Sequence, residues 1–583
     1  MSVTQTSPGR KPTETRWQRA LRSLLYGKDV NRNVKAKARL GLAIVAFAGI
    51  YSVIALRLVM FASVSEGHGA RRSVSQDAIA TSRPDILDRN GMLVATDVKT
   101  PSLFAEPRKL IDVDEAVELL TAVLPDLDVN ELRERLSSKR GFVWLKREIT
   151  PKQQVEIHRL GLPGIGFLTE NKRVYPNGPV VSHEIGHVNI DNQGIAGIEK
   201  WLDGQGLAAL HMAGLATDRL QRPVELALDL RVQFALRDEL FKAREKFKAK
   251  AAAGVIVDVN SGEIVAMVSE PDYDPNNPRE ANDPTRINRL TTGVYEMGST
   301  FKALTLAMGL DSGRMSLNTT FDARLPLRYG KFSINDYHAQ KRVLSIPEIF
   351  TYSSNIGTAR LALSLGVDYH KAWLRKMGQL DRLRTELPES AEPIVPRNWG
   401  ELNTVTIAFG HGLSVAPLQA VMGVAATVNG GLLIPPTFLK RTPEQIAQLA
   451  KPVLKPETSI KMRYLMRLNA EVGSAKESNV KGYYIGGKTG TAEKVVNGRY
   501  SKTKLMTDFM AILPADKPRY IVLIMLDEPQ PTKETHGYAT AGWNAGPTAA
   551  RVIERVAPLL DIQPRFDLPK AEQTILASNK VSR

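Results

Sequence analysis

At 583 residues, with 43% hydrophobic and 24% charged residues, the chain has ordinary globular composition and is too long for a single small module. It has no cysteine, which excludes disulfides, thiolate metal sites and a cysteine nucleophile. The net charge of +17 would favour nucleic acid if evenly spread. Residues 1–39, however, hold ten Lys or Arg against Glu14 and Asp29, so +8 of it sits in that tail; the remainder is unexceptional, and no nucleic-acid partner is expected.

Leu40 to Phe61 is an apolar run of 22 residues with one charge, Arg57, near its far end. At about 1.5 Å per residue a helix of this length spans a hydrocarbon core of roughly 30 Å, and Arg57 can snorkel to the interface. The basic tail places the N-terminus in the cytoplasm and everything after Phe61 outside. A cleaved signal peptide fits less well, because its apolar region runs about 7 to 15 residues and no small-x-small site follows. A single uncleaved transmembrane helix over residues 40–61 is therefore expected.

Residues 62–225 mix short apolar runs with turn signals at Asp88-Arg89-Asn90-Gly91, Pro176-Asn177-Gly178 and Asn192-Gln193-Gly194, and with helical patterns at Val113–Leu124 and Asn130–Leu136. This reads as an α+β domain. From 226 to 565 the texture changes. Leu226–Asp229 is strand-like, Val232–Phe247 is an amphipathic helix, and Val255–Val259 with Ile264–Val268 forms a hairpin across Asn260-Ser261-Gly262. Helices follow at Ser299–Leu310, Ile346–Leu365 and Pro417–Val428, then strands at Tyr484–Gly487, Phe509–Leu513 and Tyr520–Leu526, and a last helix over Pro547–Leu559. Strands flanking a helical segment predict one antiparallel sheet assembled from both ends, with helices packed on it. Residues 566–583 read as a polar tail.

Three motifs in this second domain carry chemistry: Ser299-Thr300-Phe301-Lys302, Ser353-Ser354-Asn355 and Lys488-Thr489-Gly490-Thr491. Ser-x-x-Lys recurs at Ser478 and Ser501, and Ser-x-Asn at Ser316 and Ser333, so each alone is weak. Context separates them. Ser299 opens an apolar helical run, where positions i and i+3 share a face and bring the Lys302 amine beside the hydroxyl. Ser353 precedes a helical stretch. Lys488 ends a strand-like one, where Gly490 lets a substrate approach the backbone. Singly, each serine is better explained as a helix cap; all three in order are not.

In that order the motifs resemble those of penicillin-binding proteins and class A β-lactamases. From the anchor to residue 560 the chain resembles class B penicillin-binding proteins, most closely the division-specific members. Beyond the three motifs, the likeness rests on Arg83-Pro84-Asp85-Ile86-Leu87-Asp88-Arg89-Asn90-Gly91, Arg173-Val174-Tyr175-Pro176, Gly194-Ile195-Ala196-Gly197-Ile198-Glu199 and the segment Gly410 to Gln419. Pro84 departs from the family's usual Gly. The resemblance implies an α+β chain with a non-catalytic pedestal and a serine β-lactamase-like transpeptidase domain, acting on peptidoglycan stem peptides and acylated by β-lactams. It further implies a place in the bacterial cytoplasmic membrane beside other division or cell-wall synthesis proteins, a glycosyltransferase among them, and no metal or organic cofactor.

The same resemblance assigns roles. Ser299 is the nucleophile and Lys302 its base. Ser353 relays the proton, Asn355 orients Lys302 and the substrate amide, and Lys488, Thr489 and Thr491 hold the terminal carboxylate along the Gly490 strand. The N–H groups of Ser299 and Thr491 form the oxyanion hole. An elongation-specific relative, a β-lactamase with Glu401-Leu402-Asn403 as a deacylation motif, and a β-lactam sensor are the alternatives. His183-Glu184-Ile185-Gly186-His187 matches a zinc-protease pattern, but Gly186 and the flanking β-branched and turn residues speak against the helix that pattern needs, so no metal site is expected.

Overall fold

The computed structural model describes residues 16–17, 32–63, 82–207, 222–330, 332–567 and 570–571. The chain divides into two compact units, residues 1–78 and 79–583. In the first, helix α1 (Arg32–Ser63) covers the apolar run, and Leu40, Ile44, Phe47 and Leu56 on it are exposed. Among the described residues no helix is long and apolar enough to cross a membrane. On the expected span, side chains are described at 40–41 and 43–57.

The second unit begins with a five-stranded sheet. Its strands are β1 (Ile86–Leu87), β2 (Leu93–Ala105), β3 (Val143–Lys146), β4 (Ile165–Val174) and β5 (Val224–Glu225); β2 pairs antiparallel with β1, β3 and β4, and β5 pairs parallel with β1. Helices α2 (Val113–Val123), α3 (Val129–Leu136) and α4 (Pro151–Arg159) bury Leu120, Leu132 and Ile157 against Leu103 and Leu145 of the sheet. Each starts where a side chain satisfies orphan N–H groups: Asp112, Asp128, and the reciprocal pair Thr150 and Gln153 with Pro151 at the first position.

The signatures around Arg83, Arg173 and Glu199 converge at this sheet, Arg173 lying on β4 itself. Arg83 Nε and Arg173 Nε donate to the two oxygens of Glu199 at 2.8 and 2.6 Å, and Arg173 also reaches Asp97 at 3.2 Å. These side chains are all but sealed from solvent. Two guanidiniums facing two carboxylates leave no buried charge unanswered. Pro84 joins them through its carbonyl, which accepts from Arg173 Nη2 at 3.0 Å.

The larger sheet is built from both ends of the region 226–565, as its sequence pattern predicts. Strands β6 (Ala251–Asp258) and β7 (Ile264–Glu270) form the early hairpin, and β8 (Gly486–Val496), β9 (Arg499–Leu513) and β10 (Tyr520–Asp527) come from the end of the chain. The order is β8-β9-β10-β6-β7, antiparallel throughout. Alternate residues bury on opposite faces. Val255 and Val257 face the helical core around Leu304 and Val421, whereas Ile256 packs with Leu236 of α5 (Leu230–Lys246) and Val552 of the terminal helix at Ala545–Val556.

Three expectations need correction. Leu226–Asp229 is no strand of this sheet: Leu226 makes one bridge to Leu439, and Asp229 is spent capping α5 by accepting from Arg231 N. Ile346–Leu365 is not one helix but two, Ile346–Thr351 and Asn355–Leu365, broken where Ser353 adopts φ +56°. Strands β8 and β9 run far beyond their apolar stretches into a hairpin turning at Asn497 and Gly498, because ladder hydrogen bonds need no apolar side chain.

Candidate active site

Ser299 sits in a 3₁₀ turn, Gly298–Phe301, that leads into helix α6 (Lys302–Asp311), nine of whose ten residues are buried. Apolar burial of α6 drives Lys302 into the core, where it is 0% exposed and its amine must find partners inside the protein. Nζ lies 3.0 Å from Ser299 Oγ, 2.5 Å from the carbonyl of Ser353 and 3.0 Å from Ser353 Oγ. Burial holds its pKa well below the lysine range; the Lys488 charge pushes the same way and Asp336 opposes. A neutral amine keeps one lone pair, which can take the Ser299 proton.

Ser353 occupies the break between the two helices. Its left-handed backbone turns both its carbonyl and its hydroxyl toward Lys302. The break is held from outside by Asp336, whose carboxylate accepts from Ser354 Oγ at 2.7 Å and from Ile356 N at 2.9 Å. The N-cap of helix α7 (Asn355–Leu365) is thus Ser354, accepting from Gly357 N, and not Ser353. Asn355 does not orient Lys302 as expected; its Nδ2 donates to the Asn335 carbonyl at 3.0 Å, and the Ser353 carbonyl takes that place.

Lys488 closes the constellation from strand β8. Its Nζ is 3.0 Å from Ser353 Oγ and 3.2 Å from the Thr489 carbonyl, so Ser353 Oγ stands between two amines. Burial pushes the Lys488 pKa down to about 7, with Asp508 opposing. Thr489 Oγ1 donates to Ser474 Oγ at 2.9 Å, and Thr491 Oγ1 accepts from Ala541 N at 3.2 Å. Gly298, at φ +50°, packs so tightly on β8 that an added Cβ would lie 3.0 Å from the Thr491 carbonyl, which sets the Ser299 turn beside the Thr491 backbone. Behind the turn, Gly410 accepts from Gly298 N at 3.1 Å; a Cβ there would lie 1.9 Å from the Gly298 carbonyl oxygen, so only glycine fits.

A Cβ at Gly490 would stand 2.3 Å from Asp508 Oδ2, so its bare backbone makes room for a buried carboxyl on β9. Asp336, Ser474 and Asp508 were not found by sequence reasoning. Asp336 lies 18 residues before Ser354 in a loop, and no local pattern ties it to the motif.

The rival motifs are placed elsewhere. Ser478 is buried in a separate 3₁₀ turn, and Ser501 lies on the β8–β9 hairpin. Glu401 accepts from Tyr329 OH, and Asn403 caps its own helix at Gly400 N. The helix holding His183 ends at Ile185, where Gly186 takes φ +72°. His183 Nε2 meets the Arg286 carbonyl at 2.8 Å, and the rings of His183 and His187 both stand edge-on to Tyr273.

Residues 252–554 match the penicillin binding protein transpeptidase domain, and residues 78–204 the penicillin-binding protein dimerisation domain. The probable peptidoglycan D,D-transpeptidase FtsI of Caulobacter vibrioides is 39% identical over 519 residues, 87% of this chain and 86% of that protein. The chain belongs to the class B penicillin-binding proteins. Other members of this family are also similar. The probable peptidoglycan D,D-transpeptidase PenA of Neisseria gonorrhoeae is 32% identical over 94% of this chain and 97% of its own, and the peptidoglycan D,D-transpeptidase FtsI of Escherichia coli 29% over 90% and 91%. A crystal structure of a peptidoglycan synthetase from Bifidobacterium adolescentis shares the fold at a TM-score of 0.64 and 21% identity, covering 84% of this chain and 98% of that one.

Proposed function

We propose that the protein is the septal peptidoglycan D,D-transpeptidase of its cell, cross-linking stem peptides through an ester on Ser299. The observation that carries this reading is the continuous hydrogen-bonded path Ser299–Lys302–Ser353–Lys488, assembled from three motifs 54 and 135 residues apart. In it, neutral Lys302 takes the Ser299 proton as Oγ attacks the carbonyl of the penultimate D-alanine. The tetrahedral oxyanion forms facing the Ser299 and Thr491 N–H groups, each such donor contributing about 10² to 10³ in rate. Ser353 passes the proton from Lys302 to the amine of the departing D-alanine as the C–N bond breaks. An amine of a neighbouring stem then attacks the ester, gives its proton back along the same path and frees Ser299.

Lys488, Thr489 and Thr491 hold the substrate's terminal carboxylate, and Asn355 the substrate amide. Residues 226–565 form the transpeptidase domain and residues 62–225 its pedestal. Residues 40–61 anchor both to the outer face of the cytoplasmic membrane, with the basic tail inside, where other division proteins and a glycosyltransferase would supply nascent glycan. The close full-length likeness to proteins named FtsI and PenA favours division over elongation.

The test is the product formed from a glycan fragment bearing two stem peptides. A cross-linked species of the mass of two stems less one D-alanine, lost with Ser299→Ala, is expected. Stems trimmed by one D-alanine with no cross-link would make the protein a carboxypeptidase, and an unchanged substrate would remove the catalytic reading.

A further inference from the structure

Asn469 is a buried amide that the mechanism above does not use. It lies in the last turn of the helix Pro456–Val472 and is 0% exposed, so both halves of its side chain need partners inside the protein. Nδ2 donates to the carbonyl of Gly487, the residue before Lys488, at 2.8 Å; Oδ1 accepts from Ser474 N at 3.0 Å and from Ser474 Oγ at 3.3 Å. Strand β8 is the edge of its sheet, where ladder partners stand on one side only. Arg467 and Asn469, two apart on the helix, serve carbonyls two apart in the chain, Ile485 at 2.8 Å and Gly487. Gly473 lets the parts close up, since a Cβ there would lie 2.1 Å from Asn469 Oδ1 and 3.0 Å from the Thr351 carbonyl. That carbonyl also takes Ser474 N, at 3.3 Å, and Thr351 ends the helix that precedes Ser353.

The hydroxyls beside Asn469 form a directed chain. Thr489 Oγ1 gives its proton to Ser474 Oγ, and Ser474 turns its own to Asn469 Oδ1. A carboxylate only accepts, so Thr489 can hold one only by turning its proton round. Ser474 permits this at small cost. Its hydroxyl can swing from the long 3.3 Å contact to donate to Thr489 Oγ1, while Asn469 Oδ1 keeps the Ser474 N–H and no heavy atom moves.

We propose that Asn469 is a positioning residue, whose one amide locks strand β8 to the segment that reaches the Ser353 helix and holds Ser474 as the partner that frees the Thr489 hydroxyl for the substrate carboxylate. This rests on Thr489 holding that carboxylate and Ser299 being acylated. The charged groups near Asn469 are engaged elsewhere: Lys488 with Ser353, Arg467 with Glu471 on its own helix, and Glu348 with Arg342 on the helix of Thr351.

The experiment follows acylation by a fluorescent penicillin in stopped flow from pH 5 to 9, separating the half-saturating concentration from the limiting rate. The variants are Asn469→Asp, Asn469→Leu, Ser474→Ala, Thr489→Val and the last two combined. An aspartic acid at 469 reproduces the amide while protonated, with its O–H on the Gly487 carbonyl and its C=O on Ser474. Burial raises its pKa, and ionisation then sets a carboxylate against the Gly487 carbonyl. Asn469→Asp should therefore acylate within about threefold of wild type at pH 5 and fall at least about tenfold further behind by pH 9, the effect of a buried acceptor left without its donor. Asn469→Leu should be slower by about that factor at every pH. Ser474→Ala should act on the half-saturating concentration rather than the limiting rate, raising it about three- to tenfold, the effect of one hydrogen bond, and should add nothing once Thr489 is valine. A ratio of Asn469→Asp to wild type that is constant with pH, Asn469→Leu with wild-type constants, or a Ser474→Ala effect that persists beside Thr489→Val overturns the proposal. Unfolded protein lowers the amplitude and leaves the constants unchanged, so a poorly folding variant still reports. A wild type that takes no label on Ser299, or Thr489→Val saturating like wild type, overturns the catalytic reading itself and this inference with it, results that the Asn469 ratios cannot mimic.

Discussion

Replacing Lys302 separates a catalytic base from a buried structural amine. Its Nζ has three acceptors within 3.0 Å and its side chain is 0% exposed, so the site was built for the length of this side chain. From the sequence, Lys302→Arg is the natural choice, since a guanidinium cannot deprotonate near neutral pH and an exposed helix start tolerates either residue. In the folded protein that tolerance disappears. Arginine adds volume to a sealed core, costing about 1–3 kcal/mol, and a fixed charge besides. Lys302→Met is the cleaner perturbation, keeping the chain length and removing the amine. Loss of a general base slows reaction by about 10² to 10⁴, so acylation of Ser299 by a fluorescent penicillin in stopped flow should fall by at least about a hundredfold. The melting temperature should hold or rise, because an amine that burial forces toward neutrality no longer needs solvating. Acylation within about threefold of wild type, far below the general-base range, would refute the role assigned to Lys302.

Asp336→Ala removes the acceptor of Ser354 Oγ and Ile356 N; by denaturant titration it should cost about 1–3 kcal/mol, and acylation should slow as Ser353 loses its fixed backbone. Glu199→Ala leaves Arg83 and Arg173 buried without their shared carboxylate, and a loss of about 3–5 kcal/mol is expected in the same assay. Chelators should leave the acylation rate unchanged, and His183→Ala with His187→Ala should lower the melting temperature without abolishing labelling, since both rings pack on Tyr273. Stoichiometric zinc lost in that double variant would reverse this reading.

The anchor-like apolar run, the order of the two regions and the three motifs are local properties, set by hydrophobic runs and by residues close together in the chain. They could be read without coordinates. So could the antiparallel sheet, because β6, β7 and β10 are apolar on both faces over most of their length and, but for Asp258, buried. The motifs also contain the side chains that meet at the site, Ser299, Lys302, Ser353 and Lys488, since each motif places its own residues within one turn or strand. How the motifs hold one another is not written in them. The break at Ser353 depends on Asp336 reaching in from a separate loop, and the helical propensity of Ile346–Leu365 carries no trace of it. That a side chain at Gly490 would meet the buried Asp508 shows only once β9 is laid beside β8. The low pKa of Lys302 comes first from its burial in the folded core and then from the charge of Lys488, which is distant in sequence. Propensity acts over a few residues, whereas desolvation and ladder register are decided by whatever the fold brings within a few ångströms.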